Sequence, residues 1–473
     1  MIGKLKNKIK NVKKQNNKYK LYCLSLLIFF LFLILFRLHN SLSFNPYWGY
    51  DGGGHVDYIF SLAQKNKMPN IESNYLAWHE PLYYLLFSGL AKIFSFITRQ
   101  TGFEIILKYL GICQAILSLL TSWVIYKLTK LLIKNKAIIV LTVIFVNLLP
   151  SFNQASTFLT NELLNYFFIF LILFYFIKNF LSAKKTVNIN KYIILGILLG
   201  LAMITKITSF IVLIIIIGYL FLTSIQRKQF IAFKNILLMI LIIFAINLPW
   251  LVYRKQNILD SFSINNTKFV TPQQLKLDQR LNFFTSFDSD IFKMPYFYSG
   301  RNSFWSMLYA DAFFDYYGTM ENRSYIHYLM AQDSKQLFKT SIHSTEAYVS
   351  KKNYNINKIL VWLSIMPAVI FIIGFLYKLI IFIKKLKFDL NFFSFFIPMS
   401  FISALIYQAY RYPYYEKGIV KAIFIFPAFI FFTVSGLEAA CKISKKLLYP
   451  IALFVLIYCI LIIKIYWIMP FDY

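Results

Sequence analysis

Twelve apolar runs divide the chain, at about 21–36, 81–97, 105–126, 137–150, 160–177, 191–205, 207–223, 235–252, 357–383, 391–409, 418–437 and 447–468. Most approach the roughly 20 residues that a membrane crossing needs. Hydrocarbon offers backbone N–H and C=O groups no partner, so these runs are predicted to be helices rather than strands. Polar residues gather between them, and many of the connectors are basic: 127–136, 178–191, 227–234, 384–387 and 442–446. If every run crossed from a cytoplasmic N-terminus, Lys127, Lys130, Lys134, Lys136 and the later basic connectors would all face outward, against the positive-inside rule. If the run 81–97 stays in the outer interface, all of them become cytoplasmic.

The expected fold is therefore an all-α polytopic membrane protein with about eleven transmembrane helices, one interfacial helix and two long outer loops, near 38–104 and 253–356. The division that follows is a basic cytoplasmic N-terminus over 1–20, an N-terminal transmembrane module over 21–252, a small cap over 253–356 and C-terminal transmembrane helices over 357–473. All the acidic residues except Asp389 and Glu438 then face outward. Carboxylates contribute little to orientation, so this partition is not built into the rule, and carboxylate chemistry is expected on the outer face.

Composition agrees. The 473 residues are 59% hydrophobic and only 15% charged, whereas a soluble protein needs about a quarter of its residues charged, so a soluble enzyme is excluded. The net charge of +31 would suit nucleic acid if it formed a patch, but here it is spread between apolar runs and marks a membrane side instead. No nucleic-acid partner is expected. The lysine-rich start leads into 21–36 with Arg37, Leu38 and His39 following rather than a small-residue cleavage site, which reads as an uncleaved signal anchor. Cys23, Cys113, Cys441 and Cys459 supply neither a disulfide framework nor a metal-type spacing.

The densest chemistry follows the first run, in Tyr50-Asp51-Gly52-Gly53-Gly54-His55-Val56-Asp57. Asp51 could cap a helix starting near His55, or act on a substrate. Three glycines beside it let the backbone turn sharply or approach a ligand. His79 and Glu80 precede Pro81, where a helix N-terminus favours an acid, and they could join Asp51, His55 or Asp57 around a phosphate or a divalent cation, Mg or Mn, although the spacing matches no recognised metal signature. The metal ligands stay unknown. Glu162 opens the run 160–177 and must cap its helix or face a watery cavity. Lys206 sits in an outer turn against the charge rule. With Arg254, Lys255, Arg411, Lys417 and Lys421 it could hold a lipid phosphate, though each alone could be a snorkelling side chain. Asp311 and Asp315, four apart among aromatics, suit either a sugar ring or an interfacial helix, and the residues taken singly favour the interface.

The order of these motifs resembles the GT-C superfamily of membrane glycosyltransferases, especially its protein-mannosyltransferase-like branch. Asp51 falls at that family's acidic motif in the first outer loop. The segment from His79 to Tyr84 falls at its His-Pro-Pro-Leu-like segment, Asn161-Glu162 at its second acidic position, Gly200 to Lys206 at its Lys-containing turn, and Lys421 to Pro427 at a basic segment leading into a proline-containing helix. Gly52 stands where many relatives carry a second acid, and Glu80 where they carry proline. The resemblance implies a polyprenyl-phosphate sugar donor, a glycan, lipid or protein acceptor outside the plasma membrane, and Asp51 as base. The readings left beside it are a transporter or lipid flippase, and a polysaccharide ligase or polymerase.

Overall fold

The computed structural model describes residues 2–99, 102–181, 187–228, 230–257, 277–297, 301–319, 337–342, 345–411 and 420–468. The helices are α1 (Ile2–Ser43), α2 (Gly52–Lys65), α3 (Leu82–Thr98), α4 (Phe103–Leu132), α5 (Lys136–Leu148), α6 (Pro150–Thr157), α7 (Glu162–Phe176), α8 (Ile189–Met203), α9 (Phe210–Gln226) and α10 (Phe230–Asn257). After these come α11 (Leu277–Thr285), α12 (Phe304–Phe313), a hairpin of β1 (Leu337–Ile342) and β2 (Thr345–Ser350), α13 (Lys351–Leu363), α14 (Ile365–Lys385), α15 (Leu390–Arg411), α16 (Phe426–Ile443) and α17 (Leu448–Tyr466).

Among the described residues nine helices are long and apolar enough to cross a membrane, and ten if α5 and α6 form one bent span. The expected count is about eleven; α3 and α8 are further apolar helices but are shorter than a full crossing. Two runs read as continuous are broken. The run 357–383 belongs to α13 and α14, which meet at Ser364, and the run 137–150 ends at a 56° bend between α5 and α6.

That bend has a visible cause. Pro150 has no N–H to continue α5, so the last carbonyls of α5 lose their helical donors. Side chains replace them: Arg37 of α1 donates to the Asn147 carbonyl at 2.6 Å and to Asn153 Oδ1 at 2.5 Å, and Asn153 Nδ2 donates to the Leu148 carbonyl at 2.8 Å. At the other end of α6, Gln114 of α4 donates to the Ala155 and Phe158 carbonyls at 2.9 and 2.8 Å. Irregular backbone at membrane depth is tolerated only when satisfied in this way.

The bundle has two chemically different ends. At one, the Lys136 ammonium lies over the Tyr22 ring and Asn135 meets Cys441. Lys378 pairs with Glu438 at 2.7 Å and bonds Asn391 at 3.0 Å. Phe176 and Tyr219 pack on Phe393, bringing the connectors after α7 and α9 to that same end. The described parts of the basic connectors named above therefore share it. At the other end α1 and α17 finish together, with His39 Nε2 at 2.7 Å from the Ile468 carbonyl and its ring stacked on Trp467.

Helix α3 starts at that second end, where the Leu82 N–H donates to the Ile204 carbonyl at 3.1 Å. Its contacts with α4 run from Tyr83 beside Gln114 to Phe94 stacked on Tyr109, moving away from the Lys127 end. It runs along the part of α4 between Gln114 and Tyr109.

The bend is the point to test. Arg37→Met leaves the Asn147 carbonyl and Asn153 Oδ1 without donors, at about 1–3 kcal/mol for each abandoned acceptor. Thermal unfolding of the purified variant in detergent is expected to fall below wild type, and Arg37→Lys to recover only part, because an ammonium cannot reproduce the two-pronged contact.

Candidate active site

The site is built on the rim, around the loop between α1 and α2. Asn45 caps the short turn Pro46–Trp48, its Oδ1 accepting from the Tyr47 N–H at 3.0 Å. The chain then reverses through Asp51, which has φ 53° and ψ 23°. A non-glycine residue in the left-handed region is uncommon and costs of order 1 kcal/mol or more. Asp51 occupies the position before α2, yet its side chain caps nothing. Instead it is exposed, and its Oδ1 accepts from the Tyr75 hydroxyl at 3.1 Å. Helix capping therefore does not explain this carboxylate.

The glycines have a packing role rather than a ligand-cradling one. A Cβ at Gly52 would strike the Pro46 carbonyl, and one at Gly54 would come within 2.8 Å of Leu76. They allow the loop before α2 and the Tyr75–Leu76 turn to close on the helix that carries His55.

His55 is buried, and its Nδ1 lies 2.7 Å from the Tyr84 hydroxyl; His79 Nδ1 lies 3.1 Å from the same oxygen. One hydroxyl has one proton, so it donates to one imidazole and accepts from the other. Asn161 Nδ2 lies 3.5 Å from His79 Nδ1 and ties this pair to the neighbouring turn. Burial lowers the His55 pKa from 6.5 to about 4, with Asp51 opposing the shift and Lys206 adding to it. Burial also drives His79 well below the usual range, helped by His55, Lys206 and Arg254. Both rings are neutral near pH 7.

Glu80 is buried between the start of α3 and the turn at Lys206. Burial raises its pKa, against the N–H groups of Glu80 and Ile207 and the charges of Arg254 and Lys206. Lys206 is ion-paired with Glu162, and its ammonium lies 5.3 Å from the centre of the Phe424 ring. Asn161 reinforces the same junction by donating to the Thr205 carbonyl at 3.3 Å.

Beneath Asp51 lies a second layer. The Tyr50 hydroxyl donates to Asp311 Oδ1 at 3.4 Å and accepts from Gln154 Nε2 at 3.5 Å, while the Lys421 ammonium sits 4.1 Å above the Tyr50 ring. Asp311 Oδ2 accepts from the Ala422 N–H at 2.6 Å. Burial raises the Asp311 pKa to about 7, with the Ala422 N–H and Lys421 opposing the rise and Asp315 adding to it.

Asp51, His55, His79, Glu80, Glu162, Lys206 and Arg254 thus belong to one rim cluster, and the expectations for the other residues need correcting. Asp57 lies on the exposed face of α2, away from His79 and Glu80, because successive helical positions turn outward. Asp315 does not share a helical face with Asp311: α12 ends at Phe313 and Phe314 is extended. Neither acid lies in the interface, for both are buried, and Asp315 accepts from the Thr319 N–H at 3.0 Å. Arg411 is exposed at the end of α15, with no described contact to the cluster, and Lys417 lies outside the described residues. Tyr75, Tyr84, Gln154 and Asn161 carried no assigned role in the sequence, because each acts through a partner distant along the chain.

Among the described residues no three His, Cys, Asp or Glu side chains converge as a metal site. The donor set does not fit Mg or Mn as arranged: both imidazoles turn Nδ1 to Tyr84, Glu80 faces backbone N–H groups, and Asp57 points outward.

Residues 79–253 match the family described as dolichyl-phosphate-mannose-protein mannosyltransferase. A search of curated proteins returns no match. Among solved structures, an Archaeoglobus fulgidus oligosaccharyltransferase in complex with zinc and sulfate aligns with 95% of this chain and 54% of its own, at a TM-score of 0.48 and 17% identity. The chain thus spans about half the length of that protein. The matched segment is a little over a third of the chain and runs from the residues before α3 into α10, on helices apolar enough to cross a membrane.

The buried histidines set a pH dependence of stability. Between pH 6.5 and about 4 the unfolded chain binds a proton at residue 55 that the folded site refuses, so stability rises with pH through that window and is lost as pH falls. Melting temperatures in detergent are expected to drop as pH is lowered from 7 to 4.5, and His55→Gln to make that decline shallower.

Proposed function

We propose that the chain transfers a sugar from a polyprenyl-phosphate donor to an acceptor hydroxyl on the extracytoplasmic face of the plasma membrane, with its N-terminus in the cytoplasm. The observation that carries this reading is the Asp51 carboxylate, exposed at the rim in a left-handed backbone conformation, without a capping role, and oriented by Tyr75. A carboxylate so held is available to a proton, whereas Glu80, Glu162 and Asp311 are buried and already engaged.

In the proposed reaction Asp51 takes the proton of the acceptor hydroxyl as its oxygen bonds to the anomeric carbon. The bond from that carbon to the lipid phosphate oxygen breaks, its electron pair leaves on the phosphate, and a single displacement inverts the configuration. Lys206, Arg254 and Lys421 are the cations near enough to the rim to offset the growing phosphate charge. His55 and His79, neutral and locked on Tyr84, shape the wall next to Asp51 and can offer hydrogen bonds to sugar hydroxyls. Asp311 and Asp315 support the Tyr50 loop from below rather than touching substrate. No step uses a metal.

The test is transfer from a panel of polyprenyl-phosphate sugars to hydroxyl acceptors. Asp51→Asn is expected to lose about 10²–10⁴ in kcat/KM, the usual range for general-base assistance, with unchanged elution and melting. Full activity in that variant removes Asp51 as base, and no turnover by wild type with any donor shifts the reading to lipid transport. The orientation has its own check: in a cysteine-free background Arg99→Cys should react with an impermeant maleimide added outside intact cells. Labelling only after permeabilisation would overturn the non-crossing α3.

A further inference from the structure

The basic end of the bundle contains a recess that the rim chemistry does not use. It lies where α7 ends, α8 starts, α9 ends and α10 starts, and its cavity volume is about 50 Å³, open on one side to the surroundings. One wall carries hydrogen-bond donors. Tyr192, Tyr219 and Asn235 line it and are 4%, 4% and 9% exposed, yet neither phenol hydroxyl nor the amide has a hydrogen-bond partner among the described residues. None of these three groups is among the enclosed polar atoms that lack a partner, so they are open to the surroundings through the hollow, where an acceptor that enters can take their hydrogen bonds.

Arg227, at the end of α9, also lines the recess, and its charge acts on both Tyr192 and Tyr219. The hydroxyls of Thr223 and Ser224 on the same wall are spent on the Tyr219 and Leu220 carbonyls of their own helix. One acid bears on the site: Asp389, whose charge reaches Tyr219, but both of its oxygens are taken by Asn391. Phe180, packed edge-on against Tyr192, Leu220 and Ile231 add apolar lining, and Ile231 is 74% exposed on the outer surface of the bundle, where lipid would lie.

We propose that this recess binds the phosphate group of an anionic membrane lipid, held by the Arg227 guanidinium, the Asn235 amide and the two tyrosine hydroxyls, with an acyl chain leaving along Ile231. The chemistry is that of a phosphodiester: oxygens that accept several hydrogen bonds, one negative charge matched to one arginine, and an apolar tail that suits the exposed Ile231 side. Free phosphate shares the head but gains nothing from Phe180, Leu220 and Ile231. The site is separate from the rim cluster, and its occupancy does not depend on the transfer reaction.

The experiment is a lipid titration of the detergent-purified full chain, read by native mass spectrometry and by melting temperature, with phosphatidylglycerol, phosphatidylcholine and sodium phosphate as three arms. Phosphatidylglycerol is expected to bind about tenfold more tightly than phosphatidylcholine, the difference that one charge-assisted contact supplies. Arg227→Gln with Asn235→Leu should abolish that preference. If the double variant does not fold, Tyr192→Phe and Tyr219→Phe, which each remove one oxygen, should weaken phosphatidylglycerol binding and leave phosphatidylcholine binding unchanged. Equal binding of the two lipids by wild type, a preference that survives these substitutions, or full stabilisation by sodium phosphate alone would overturn the proposal.

Discussion

The structure depends on the satisfaction of a broken backbone inside the membrane. Pro150 interrupts a span, the carbonyls at the end of α5 are met by Arg37 and Asn153, from α1 and α6, and those at the far end of α6 by Gln114 of α4. Because an unpaired carbonyl in hydrocarbon costs several kcal/mol, these three elements are tied to one geometry. The tie has reach. Gln154, next to Asn153, bonds the Tyr50 hydroxyl, and Gln114 also accepts from Tyr83 at 3.3 Å, so the break sets the level of both the Asp51 loop and the start of α3.

Around that frame the rim sorts its ionisable groups by environment. Glu162 has Lys206, Glu80 has backbone N–H groups and nearby cations, and Asp311 has the Ala422 N–H and a raised pKa. Two histidines share one hydroxyl and are kept neutral by burial. Asp51 alone of the carboxylates in this cluster is exposed, and it is held by one phenol in a backbone conformation that carries a cost. Backbone strain of this kind persists where the surroundings over-determine it, which is the sense in which Pro46, Leu76 and the close-packed glycines matter.

The resemblance drawn from motif order agrees with the family match over residues 79–253. Agreement in order did not extend to the detail of each residue. Asp57 and Asp315 were grouped with their neighbours by spacing, and the fold separates them: one by helical phase, the other because α12 stops two residues too early. The glycine triplet suggested room for a ligand; at Gly52 and Gly54 that room is filled by the protein's own chain, and Gly53 alone of the three stays open.

What the sequence determined by itself was the alternation of apolar runs with basic connectors, and from it the helical membrane class. These follow from local rules: hydrocarbon demands helices, and charge reports the membrane side. Which acid pairs with which base was beyond its reach. In a membrane the faces toward lipid and toward other helices are both apolar, so periodicity does not record how each helix is rotated or what it touches. Only the tertiary packing set Glu162 against Lys206, put Tyr84 between two histidines, left Asp51 free, and opened a donor-lined recess at the opposite end.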